Sequence, residues 1–424
     1  MALLERDETM LRSLEVKKGI HWVGALDPNL RIFDIIMYTP YGTSYNSFLV
    51  QGTEKTAVFE TVKLQFLDEY LDRLKELGTD PAKIDYIIVS HTEPDHSGSV
   101  SKMLELSPNA EVLGSQAAIG FLKEMVNKPF KHRIVKENET LELGGKTLRF
   151  IMAPFLHWPD SMYTYIEEDK SLVTCDSFGL HYCFEPMFDD LIAPEDEPKY
   201  QESLKYYFDT IFGPYKQHIL KAYEKIKGLE IDTVLTGHGP ILRRDPWAVI
   251  NQYVKWATPA DRTGRRKKVT VSYVSAYGYT KQIGEKVVLG LLSAGDFDVV
   301  SYDIIQHEMN DILADIGDSD GLLFGSPTIV GELLEPVRIL MAHLNPTVHG
   351  GKVAGAFGSF GWSGEAVPRI ESRLKELRMK IHGPGLCIKF KASEKELEDA
   401  FAWGREFGEK LLGKIPVNQE HVKA

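Results

Sequence analysis

Four side chains that can bind a metal ion lie within the six-residue segment HTEPDH, at 91–96. The segment follows the apolar run YIIVS at 86–90 and precedes SGS at 97–99, a pattern that predicts a strand, a turn and the start of a helix. Packing does not explain this composition, because each imidazole or carboxylate would need a polar partner if it were buried. We therefore predict metal ligands at His91, Glu93, Asp95 and His96. A ligand set with carboxylates suits iron or manganese better than zinc.

Three further candidate ligands follow other apolar runs of the chain. His157 lies in PFLHWPD at 154–160, just past a predicted strand, and Asp176 follows the run LVTC at 172–175. His238 lies in the glycine-flanked turn GHG, after the run TVLT at 233–236. Ligand-binding residues of α/β proteins lie outside the carboxyl ends of strands, so all three residues are candidate ligands.

The pattern H-x-E-x-D-H resembles the metal loop of the metallo-β-lactamase superfamily. Glu93 stands where the zinc hydrolases of that superfamily usually carry a second histidine, which makes the site of this chain harder and more anionic. The surrounding segment, 1–257, alternates short apolar runs with helical patterns, such as the amphipathic stretch 65–77 that ends at Gly78. Sheets with helices packed outside them are expected. The resemblance implies an α/β fold of the metallo-β-lactamase type, an αβ/βα sandwich.

A polar, basic and aperiodic stretch, 258–268, is predicted to be a solvated linker between two domains. Beyond it, residues 269–424 alternate apolar runs with helical patterns. The predicted strands are 269–274, 298–304, 321–325, 352–357 and 385–390, and the predicted helices are 280–293, 309–316, 332–344, 363–376 and 393–412. Short strands joined by helical crossovers predict a doubly wound, parallel, five-stranded sheet.

Three loops of this second domain carry glycine, hydroxyl or aromatic side chains at the ends of its first, third and fourth strands. The first loop, 275–280, opens a helix, and hydroxyls and backbone N–H groups at a helix amino terminus bind phosphate. Lys281 follows it, but neither the Gly-Lys-Ser/Thr of a P-loop nor G-x-G-x-x-G is present, which disfavours a nucleoside triphosphate and a dinucleotide. The other two loops are 325–329 and 358–364.

This arrangement resembles flavodoxin, in which the first loop binds the phosphate of FMN and the other two flank the isoalloxazine ring. The resemblance implies that Trp362 stacks on the ring and that Thr328 and Gly361 touch its edge. The full set of FMN-binding residues that it implies is Ser275, Tyr277, Gly278, Tyr279, Thr280, Pro327, Thr328, Ile329, Ser359, Phe360, Gly361, Trp362, Ser363 and Gly364.

The order of the two sets of motifs, with the segment H-W-P-D-S at 157–161 intact, resembles the flavodiiron proteins over almost the whole chain. The resemblance implies two irons and a bridging Asp176: one iron is bound by His91, Glu93 and His157, and the other by Asp95, His96 and His238. Family members differ in whether the histidine at the position of His96 binds iron. His181 and Tyr206 look like pocket residues of the family, as candidate catalytic residues that hydrogen-bond the substrate or as residues that only pack.

The same resemblance implies an oxidoreductase that reduces dioxygen to water, nitric oxide to nitrous oxide, or both, at a non-haem diiron site fed by FMN. The metal ligands alone do not distinguish dioxygen from nitric oxide as the substrate. Because the chain ends soon after the flavin domain, a rubredoxin-like protein or another external donor is expected to supply the electrons. A domain of about 260 residues has a radius of gyration of roughly 18 Å. Two cofactors on separate domains of one chain could therefore be too far apart for fast electron transfer. A head-to-tail homodimer, or a dimer of dimers, resolves this in the family.

Composition excludes several other classes of protein. A net charge of −12 and the lack of a basic stripe with interleaved aromatics argue against nucleic acid as a partner. The three cysteines form no C-x-x-C and no disulfide framework, which suits a reducing compartment. The charged amino terminus has no apolar signal region and no run of 18 apolar residues occurs, so a cytoplasmic protein with no membrane partner is expected.

Two other readings of the sequence stay open. The chain could be a zinc-dependent hydrolase of the metallo-β-lactamase superfamily with a fused flavin module, against which Glu93 argues. It could also be a flavin electron carrier whose metal domain is structural or a docking surface. Seven candidate ligands with the character of an open site argue against this second reading, since structural metal sites are usually closed. Metal analysis distinguishes the zinc hydrolase from the iron protein.

Overall fold

A computed structural model describes residues 13–259 and 264–416 of the chain, which divides into two compact units between residues 260 and 261. The predicted domains 1–257 and 269–424 include residues 1–12 and 417–424, and the predicted linker includes 260–263; these three stretches lie outside the described residues. Within the described part of the chain, no helix combines the length and the apolar composition that crossing a bilayer requires.

The first unit consists of two sheets and the helices that cover them. Its strands are β1 (Leu14–Lys17), β2 (Ile20–Trp22), β3 (Ala25–Asp27), β4 (Ile32–Phe33), β5 (Met37–Tyr38), β6 (Thr43–Tyr45), β7 (Phe48–Gln51), β8 (Thr56–Phe59), β9 (Tyr86–Ile88), β10 (Glu111–Gly114), β11 (His132–Ile134), β12 (Thr140–Glu142), β13 (Thr147–Met152), β14 (Met162–Ile166), β15 (Ser171–Cys175) and β16 (Thr233–Thr236). Its helices are α1 (Leu67–Glu76), α2 (Pro94–Ser97), α3 (Val100–Leu106), α4 (Gln116–Val126), α5 (Glu197–Tyr207), α6 (Lys216–Ile226) and α7 (Pro246–Ala257).

The two large sheets of this unit pack face to face. One sheet has seven strands in the order β1-β2-β7-β8-β9-β10-β11, and the other has five in the order β12-β13-β14-β15-β16. Alternation along the strands sends Phe59 and Ile88 of the first sheet against Phe150 of the second, in the core between them. Their sequence neighbours Val58 and Ile87 point to the opposite face, where helices cover the sheet. This layering is the predicted αβ/βα sandwich, and the prediction is confirmed.

The second unit alternates strands with helices. Its strands are β17 (Lys267–Tyr273), β18 (Phe297–Asp303), β19 (Gly321–Gly325), β20 (Thr328–Ile329), β21 (Glu332–Leu333), β22 (Val353–Phe360) and β23 (Lys380–Lys389). Its helices are α8 (Tyr279–Ala294), α9 (Met309–Asp318), α10 (Glu335–Ala342), α11 (Pro346–His349), α12 (Ala366–Glu376) and α13 (Glu394–Leu411).

Five of these strands form one sheet in the order β18-β17-β19-β22-β23, and every neighbouring pair is parallel. Helices α8 and α13 pack on one face, through residues such as Val287 and Phe407. Helices α9, α10 and α12 pack on the other face, through residues such as Ile312, Leu340 and Ile370. The sheet is therefore doubly wound, as the sequence predicts, with the strand order of flavodoxin-like folds.

The basic end of the predicted linker 258–268 is partly structured. Strand β17 begins at Lys267, so two residues of that linker pair with neighbouring strands. The ammonium of Lys267 lies 3.0 Å from Asp320, and that of Lys268 lies 2.5 Å from Asp315. A run that looks like a solvated linker in the sequence thus enters the sheet, because carboxylates distant in the chain neutralise its charges.

Candidate metal centre

The seven candidate ligands follow strands whose carboxyl ends lie along one edge of the sandwich. Strands β13, β15 and β16 run in one direction, because β14 is antiparallel to both β13 and β15, and β16 is parallel to β15. His157, Asp176 and His238 therefore leave the second sheet at the same edge. The other sheet contributes the loop after β9, where α2 begins at Pro94, a residue well suited to the first turn of a helix. That turn directs Asp95 and His96 toward the same place.

Four of the predicted ligands form one group. His91 Nε2 lies 3.1 Å from Glu93 Oε2, and His157 Nε2 lies 3.0 Å from the same oxygen. Asp176 Oδ2 completes the group, 3.2 Å from His157 Nε2 and 3.6 Å from His91 Nε2. One ligand atom from each residue lies within 4.8 Å of the others, a spacing that suits ligands around one ion.

The other three predicted ligands form a second group beside the first. His238 Nε2 lies 3.0 Å from Asp95 Oδ2, and His96 Nε2 lies 3.4 Å from that oxygen. The second oxygen of Asp176, Oδ1, faces this group, 2.8 Å from His96 Nε2 and 3.4 Å from His238 Nε2. Asp176 therefore presents one carboxylate oxygen to each group, which is the geometry of a bridging ligand between two ions.

The chemistry of the donor set fits two divalent cations. Glu93, Asp95 and Asp176 are buried carboxylates that lie beside four imidazoles. Both carboxylate oxygens of Asp95 lack a hydrogen-bond partner among the described residues, although His238 Nε2 is only 3.0 Å away. Close approach without hydrogen bonding is expected of two ligands of one ion, and a buried anion needs such a counter-charge. Two divalent ions would more than neutralise the three carboxylates.

Cys175 is a further metal-capable residue beside the second group of ligands. Its sulfur lies within 4.8 Å of ligand atoms of His96 and Asp176. Burial raises the pKa of the Cys175 thiol well above its usual value, and the neighbouring carboxylates act in the same direction. Because the thiolate is the form that binds metal, the imidazoles and carboxylates are the better ligands.

Neighbouring carboxylates raise the pKa values of three of the ligand histidines, His91, His96 and His157. Burial opposes the charge on His91, but hydrogen bonds to Asp160 and Glu93 outweigh it and raise its pKa to about 10. Burial also opposes the charge on His157, but hydrogen bonds to Asp176 and Glu93 outweigh it and raise the pKa of His157 to about 10. For His96, burial is outweighed by the negative charges of Asp95 and Asp176, which raise the pKa to about 9. All three pKa values lie above neutral pH, so each imidazole carries a proton that a metal ion must displace.

We therefore expect binding of ferrous iron to the metal-free protein at pH 7 to release about three protons, one from each of these imidazoles. The apparent affinity should rise with pH until the solution passes the raised pKa values of the histidines, because fewer protons then have to be displaced. Anaerobic titration in a weakly buffered solution with a pH indicator measures the release. Iron binding with no release of protons, and with an affinity that does not change between pH 6 and 9, would contradict this expectation.

Two of the ligand histidines are held at Nδ1, the ring nitrogen away from the ligand group, by residues that the sequence did not reveal. Asp160 Oδ1 lies 3.4 Å from His91 Nδ1, and its Oδ2 accepts from the amide and the hydroxyl of Thr92 at 2.8 and 2.6 Å. His238 Nδ1 donates to the carbonyl oxygen of Ser44 at 2.6 Å. Such bonds fix which ring nitrogen faces the metal. The segment H-W-P-D-S contained a signal for Asp160, but a backbone carbonyl such as that of Ser44 leaves no signature in a sequence.

The structure places His181 beside the site but places Tyr206 away from it. The His181 ring lies 4.9 Å from the His238 ring, and its Nδ1 is 2.9 Å from the Thr43 hydroxyl. Burial, with His238 nearby, lowers the pKa of His181 well below its usual value. Tyr206 is 37% exposed, and its hydroxyl accepts from the backbone N–H of Tyr38 at 3.2 Å.

The neighbouring Tyr207 occupies the position expected of Tyr206. Its ring is fully buried and lies 4.9 Å from the His181 ring, and its hydroxyl has no hydrogen-bond partner in the described part of the chain. Helix α5 buries residues 200, 203, 204 and 207, so its helical period turns position 206 to solvent. The placement of Tyr206 in the pocket is therefore corrected by one residue.

Asp34 is another residue near the site that the sequence did not reveal. It lies in the turn between β4 and β5, and its carboxyl group hydrogen-bonds that of Glu93. Burial and this neighbouring carboxylate raise the pKa of Asp34 to about 7. Two carboxyl groups share a hydrogen bond only when one is protonated, so Asp34 is the partner that carries the proton.

The three predicted flavin loops lie together in the second unit, because β17, β19 and β22 are adjacent and parallel. The first loop holds Ser275, Tyr277 and Gly278, followed by Tyr279 and Thr280 in the first turn of α8. Gly278 has a φ of +82°, a conformation that favours glycine. Thr280 of this loop is 2.9 Å from Ser359 of the third loop, measured between their hydroxyl oxygens.

The other two loops offer one framework contact and several exposed side chains. Thr328, between Pro327 and Ile329, accepts a hydrogen bond from the backbone N–H of Ala366 at 3.1 Å. The third loop runs through Phe360, Gly361, Trp362, Ser363 and Gly364, and its Trp362 is 84% exposed. An indole with so few protein contacts is available to stack on a planar ring. The predicted flavin residues thus gather at one edge of the sheet.

Two family models match the chain. The model described as ODP family beta lactamase matches residues 43–239, and the model described as Flavodoxin matches residues 271–404. The first match contains all seven candidate metal ligands, and the second contains the three loops.

Relatives along the full length of the chain agree with these matches. A protein of Clostridium acetobutylicum named flavo-diiron protein FprA2 is 40% identical over 94% of this chain and 100% of its own length. A protein of Moorella thermoacetica named nitric oxide reductase is 34% identical over 95% of this chain and 100% of its own. The solved structure of the rubredoxin oxygen:oxidoreductase of Desulfovibrio gigas is 27% identical, with a TM-score of 0.66, and covers 96% of this chain and 100% of that one.

Proposed function

The chain belongs to the flavodiiron protein family, and from this premise we propose that it is an oxidoreductase that reduces dioxygen to water, nitric oxide to nitrous oxide, or both. The observation that carries the proposal is the carboxylate of Asp176, which presents Oδ1 to one group of ligands and Oδ2 to the other. Two redox-active ions held side by side can act together on one small molecule. A hydrolase needs no flavin for its reaction.

We assign the ligands in agreement with these contacts. One iron would be held by His91, Glu93 and His157, and the other would be held by Asp95, His96 and His238, with Asp176 shared by both groups. Two ferrous ions and reduced FMN, when bound, would supply four electrons. With four protons these suffice to reduce one dioxygen to two waters, and two electrons with two protons suffice to convert two molecules of nitric oxide into nitrous oxide and water. The residues of the three loops would hold FMN, and the amino terminus of α8 would bind its phosphate.

The chain's own residues shape the place where the gas reacts. Phe33, His181 and Tyr207 form an aromatic wall beside His238, with the rings of Phe33 and His181 4.3 Å apart. These rings exclude bulk water, which strengthens electrostatic interactions at the site. His181 is uncharged, since burial lowers its pKa, so its unpartnered Nε2 and the Tyr207 hydroxyl are polar groups available to a bound gas or to the water it yields.

Replacement of Tyr207 by phenylalanine should separate its role from that of Tyr206. We expect Tyr207→Phe to lower kcat/KM for gas reduction by up to about tenfold, the loss of one hydrogen bond, with iron content unchanged. Tyr206→Phe is the matched control and should leave kcat/KM within about twofold, because the Tyr206 hydroxyl is exposed and accepts from the backbone N–H of Tyr38. Steady-state gas consumption measures both variants. A larger loss from Tyr206→Phe than from Tyr207→Phe would restore the original assignment.

The functional dimer is proposed to be head-to-tail, so that one subunit's flavin lies against its partner's irons. Exposed apolar side chains near both sites support this. Ile35, at the turn beside Asp34, is 92% exposed, and Ile36 and Tyr38 beside it are also exposed. Near the flavin loops, Tyr277, Val330 and Trp362 are exposed. Apolar side chains clustered on a surface indicate an interface, and a two-fold axis buries both patches twice.

The electrons are proposed to come from an external donor of the rubredoxin type or from another reductase, in line with the name of the Desulfovibrio gigas relative. The proposed location is the cytoplasm. Cys175, Cys183 and Cys387 are all free, and free thiols are typical of a reducing compartment.

Metal analysis combined with gas consumption tests the proposed function. The purified protein should contain two irons and one FMN for each chain, and the protein with reduced FMN should consume dioxygen, nitric oxide or both. Measuring the two gases side by side also gives the preference between them. A single zinc ion, with hydrolytic activity and no gas consumption, would establish the zinc hydrolase instead.

A further inference from the structure

The second ring nitrogen of a metal-binding histidine usually donates to a carboxylate or a carbonyl. His91 and His238 follow this rule, through Asp160 and the carbonyl of Ser44. His96 does not: its Nδ1 is buried, with no hydrogen-bond partner among the residues that the structure describes. Since Nε2 of His96 faces Asp95 and Asp176, Nδ1 is the nitrogen that needs support from behind.

Glu60, the residue that follows β8, is the candidate to support His96 as Asp160 supports His91. Its side chain is 1% exposed, and Oε1 accepts from the backbone N–H of Ser90 at 2.8 Å. The other oxygen, Oε2, is buried without a hydrogen-bond partner in the described ranges. Burial raises the pKa of Glu60 to about 7, and the charge of the His96 ring is the largest influence that opposes this rise.

The backbone around Glu60 is built to hold this side chain in place. Glu60 has a φ of +59°, a conformation that residues other than glycine rarely adopt. Its N–H donates to the Ile88 carbonyl at 2.9 Å, and its own carbonyl accepts from the Ser47 hydroxyl at 3.1 Å. The next residue, Thr61, holds the carbonyl of His96 through its N–H at 2.7 Å and its hydroxyl at 2.6 Å. The segment 60–61 therefore fixes the main chain of His96 and brings a carboxylate toward its ring.

A purely structural role does not explain a glutamate at this position. Receiving the N–H of Ser90 needs one acceptor, which a neutral side chain could supply. A second carboxylate oxygen left unpaired in the interior is costly unless something nearby uses it. The unpaired Nδ1 of His96 is the donor that matches it.

We propose that Glu60 is the positioning residue of His96: its Oε2 accepts a hydrogen bond from one water molecule, which in turn accepts from His96 Nδ1, and so directs Nε2 to the second iron. The inference rests on the proposed diiron function. It predicts that His96 is an iron ligand in this chain, although members of the family differ at this position. Glu60 then does for the second iron what Asp160 does for the first.

The test compares Glu60→Gln with the wild type, because glutamine keeps the shape and the acceptor for Ser90 but removes the charge. We expect Glu60→Gln to bind one of its two irons about 10–100-fold more weakly in competition with a chelator, the usual effect of losing such a partner. In Mössbauer spectra of the ⁵⁷Fe protein, one iron signal should change and the other should not. FMN content and Tm should stay as in the wild type. Asp160→Asn is the matched control and should change the signal of the other iron.

A double-mutant cycle with His96→Ala separates positioning from a general effect on the fold. If Glu60 acts through His96, adding Glu60→Gln to His96→Ala should weaken iron binding no further. Should Glu60→Gln fold poorly, ¹⁵N NMR of the zinc-loaded wild type replaces it: the Nδ1 proton of His96, assigned with His96→Ala, should be present and protected from exchange. Additive effects, wild-type iron binding by Glu60→Gln, or a His96 protonated on Nε2 would overturn the inference. A wild type without two irons would instead overturn the proposed function.

Discussion

Asp176→Ala should abolish gas reduction, with a fall of more than about 100-fold, and leave the reduction of FMN intact. The carboxylate of Asp176 lies 2.8 Å from His96 and 3.2 Å from His157, and it joins the two groups of ligands. Without it, each ion loses a ligand, and buried histidines lose the anion that they face. We expect iron content to fall from two to one or fewer for each chain. Anaerobic flavin reduction, iron analysis and gas consumption measure the three effects in one preparation.

Asp209→Ala is the control for the loss of a carboxylate. Asp209 is exposed and pairs with Lys205 on the surface, so its replacement should leave iron content and turnover unchanged. Survival of gas reduction in Asp176→Ala, with iron still bound, would show that the carboxylate does not bridge the metals. The ligand assignment for both irons would then be wrong.

Mixing two inactive variants should restore activity if each active site is shared between subunits. Asp176→Ala lacks the metal site but keeps its flavin. Ser275→Asp keeps the metal site, and its carboxylate can still accept from the backbone N–H of Lys281, as the Ser275 hydroxyl does at 3.1 Å. The same carboxylate should repel the FMN phosphate. In a mixed head-to-tail dimer, the intact flavin of one chain faces the intact irons of the other. After subunit exchange we expect about a quarter of wild-type activity, since half of the dimers are mixed and each has one working site.

Ser275→Asn is the control for the flavin variant, because it keeps the polar side chain without the charge and should retain FMN. Each variant alone should remain inactive through the same exchange procedure. Two inactive variants that gain nothing on mixing, although native mass spectrometry shows mixed dimers, would mean that electrons pass within one chain.

Metal ligands that lie close together in the chain could be predicted from the sequence. The groups that hydrogen-bond them from distant parts of the chain could not. The ligands between His91 and His96 stand in one loop, and their composition predicts a metal site without any knowledge of the fold. The groups behind them come from elsewhere: Asp160 is 69 residues from His91, and Ser44 is 194 residues from His238. Glu60 was missed for the same reason, because one glutamate after a strand has no pattern that distinguishes it from a surface residue.

Errors of one or a few residues also have physical causes. Tyr206 and Tyr207 are equivalent in composition, and only the buried face of α5 distinguishes them. The helix predicted at 332–344 begins at Glu335, because residues 328–333 form the hairpin β20–β21 and Pro336 favours a helix start at that point. The glycine-rich flavin loops were easier to predict, since they follow strands whose apolar runs define the sheet.

Single-turnover oxidation of the fully reduced protein shows whether its flavin and its metal ions react together with one gas molecule. A limiting pulse of dioxygen, or of nitric oxide if that gas is preferred, is mixed anaerobically with the protein while flavin absorbance and the Mössbauer signal of ⁵⁷Fe are followed in the same sample. We predict that flavin and both irons are oxidised together, with four electrons used for each dioxygen and no peroxide released, or two for each nitrous oxide formed. Oxidation of the flavin alone, with peroxide as the product and the metal unchanged, would contradict the proposal that the irons reduce the gas.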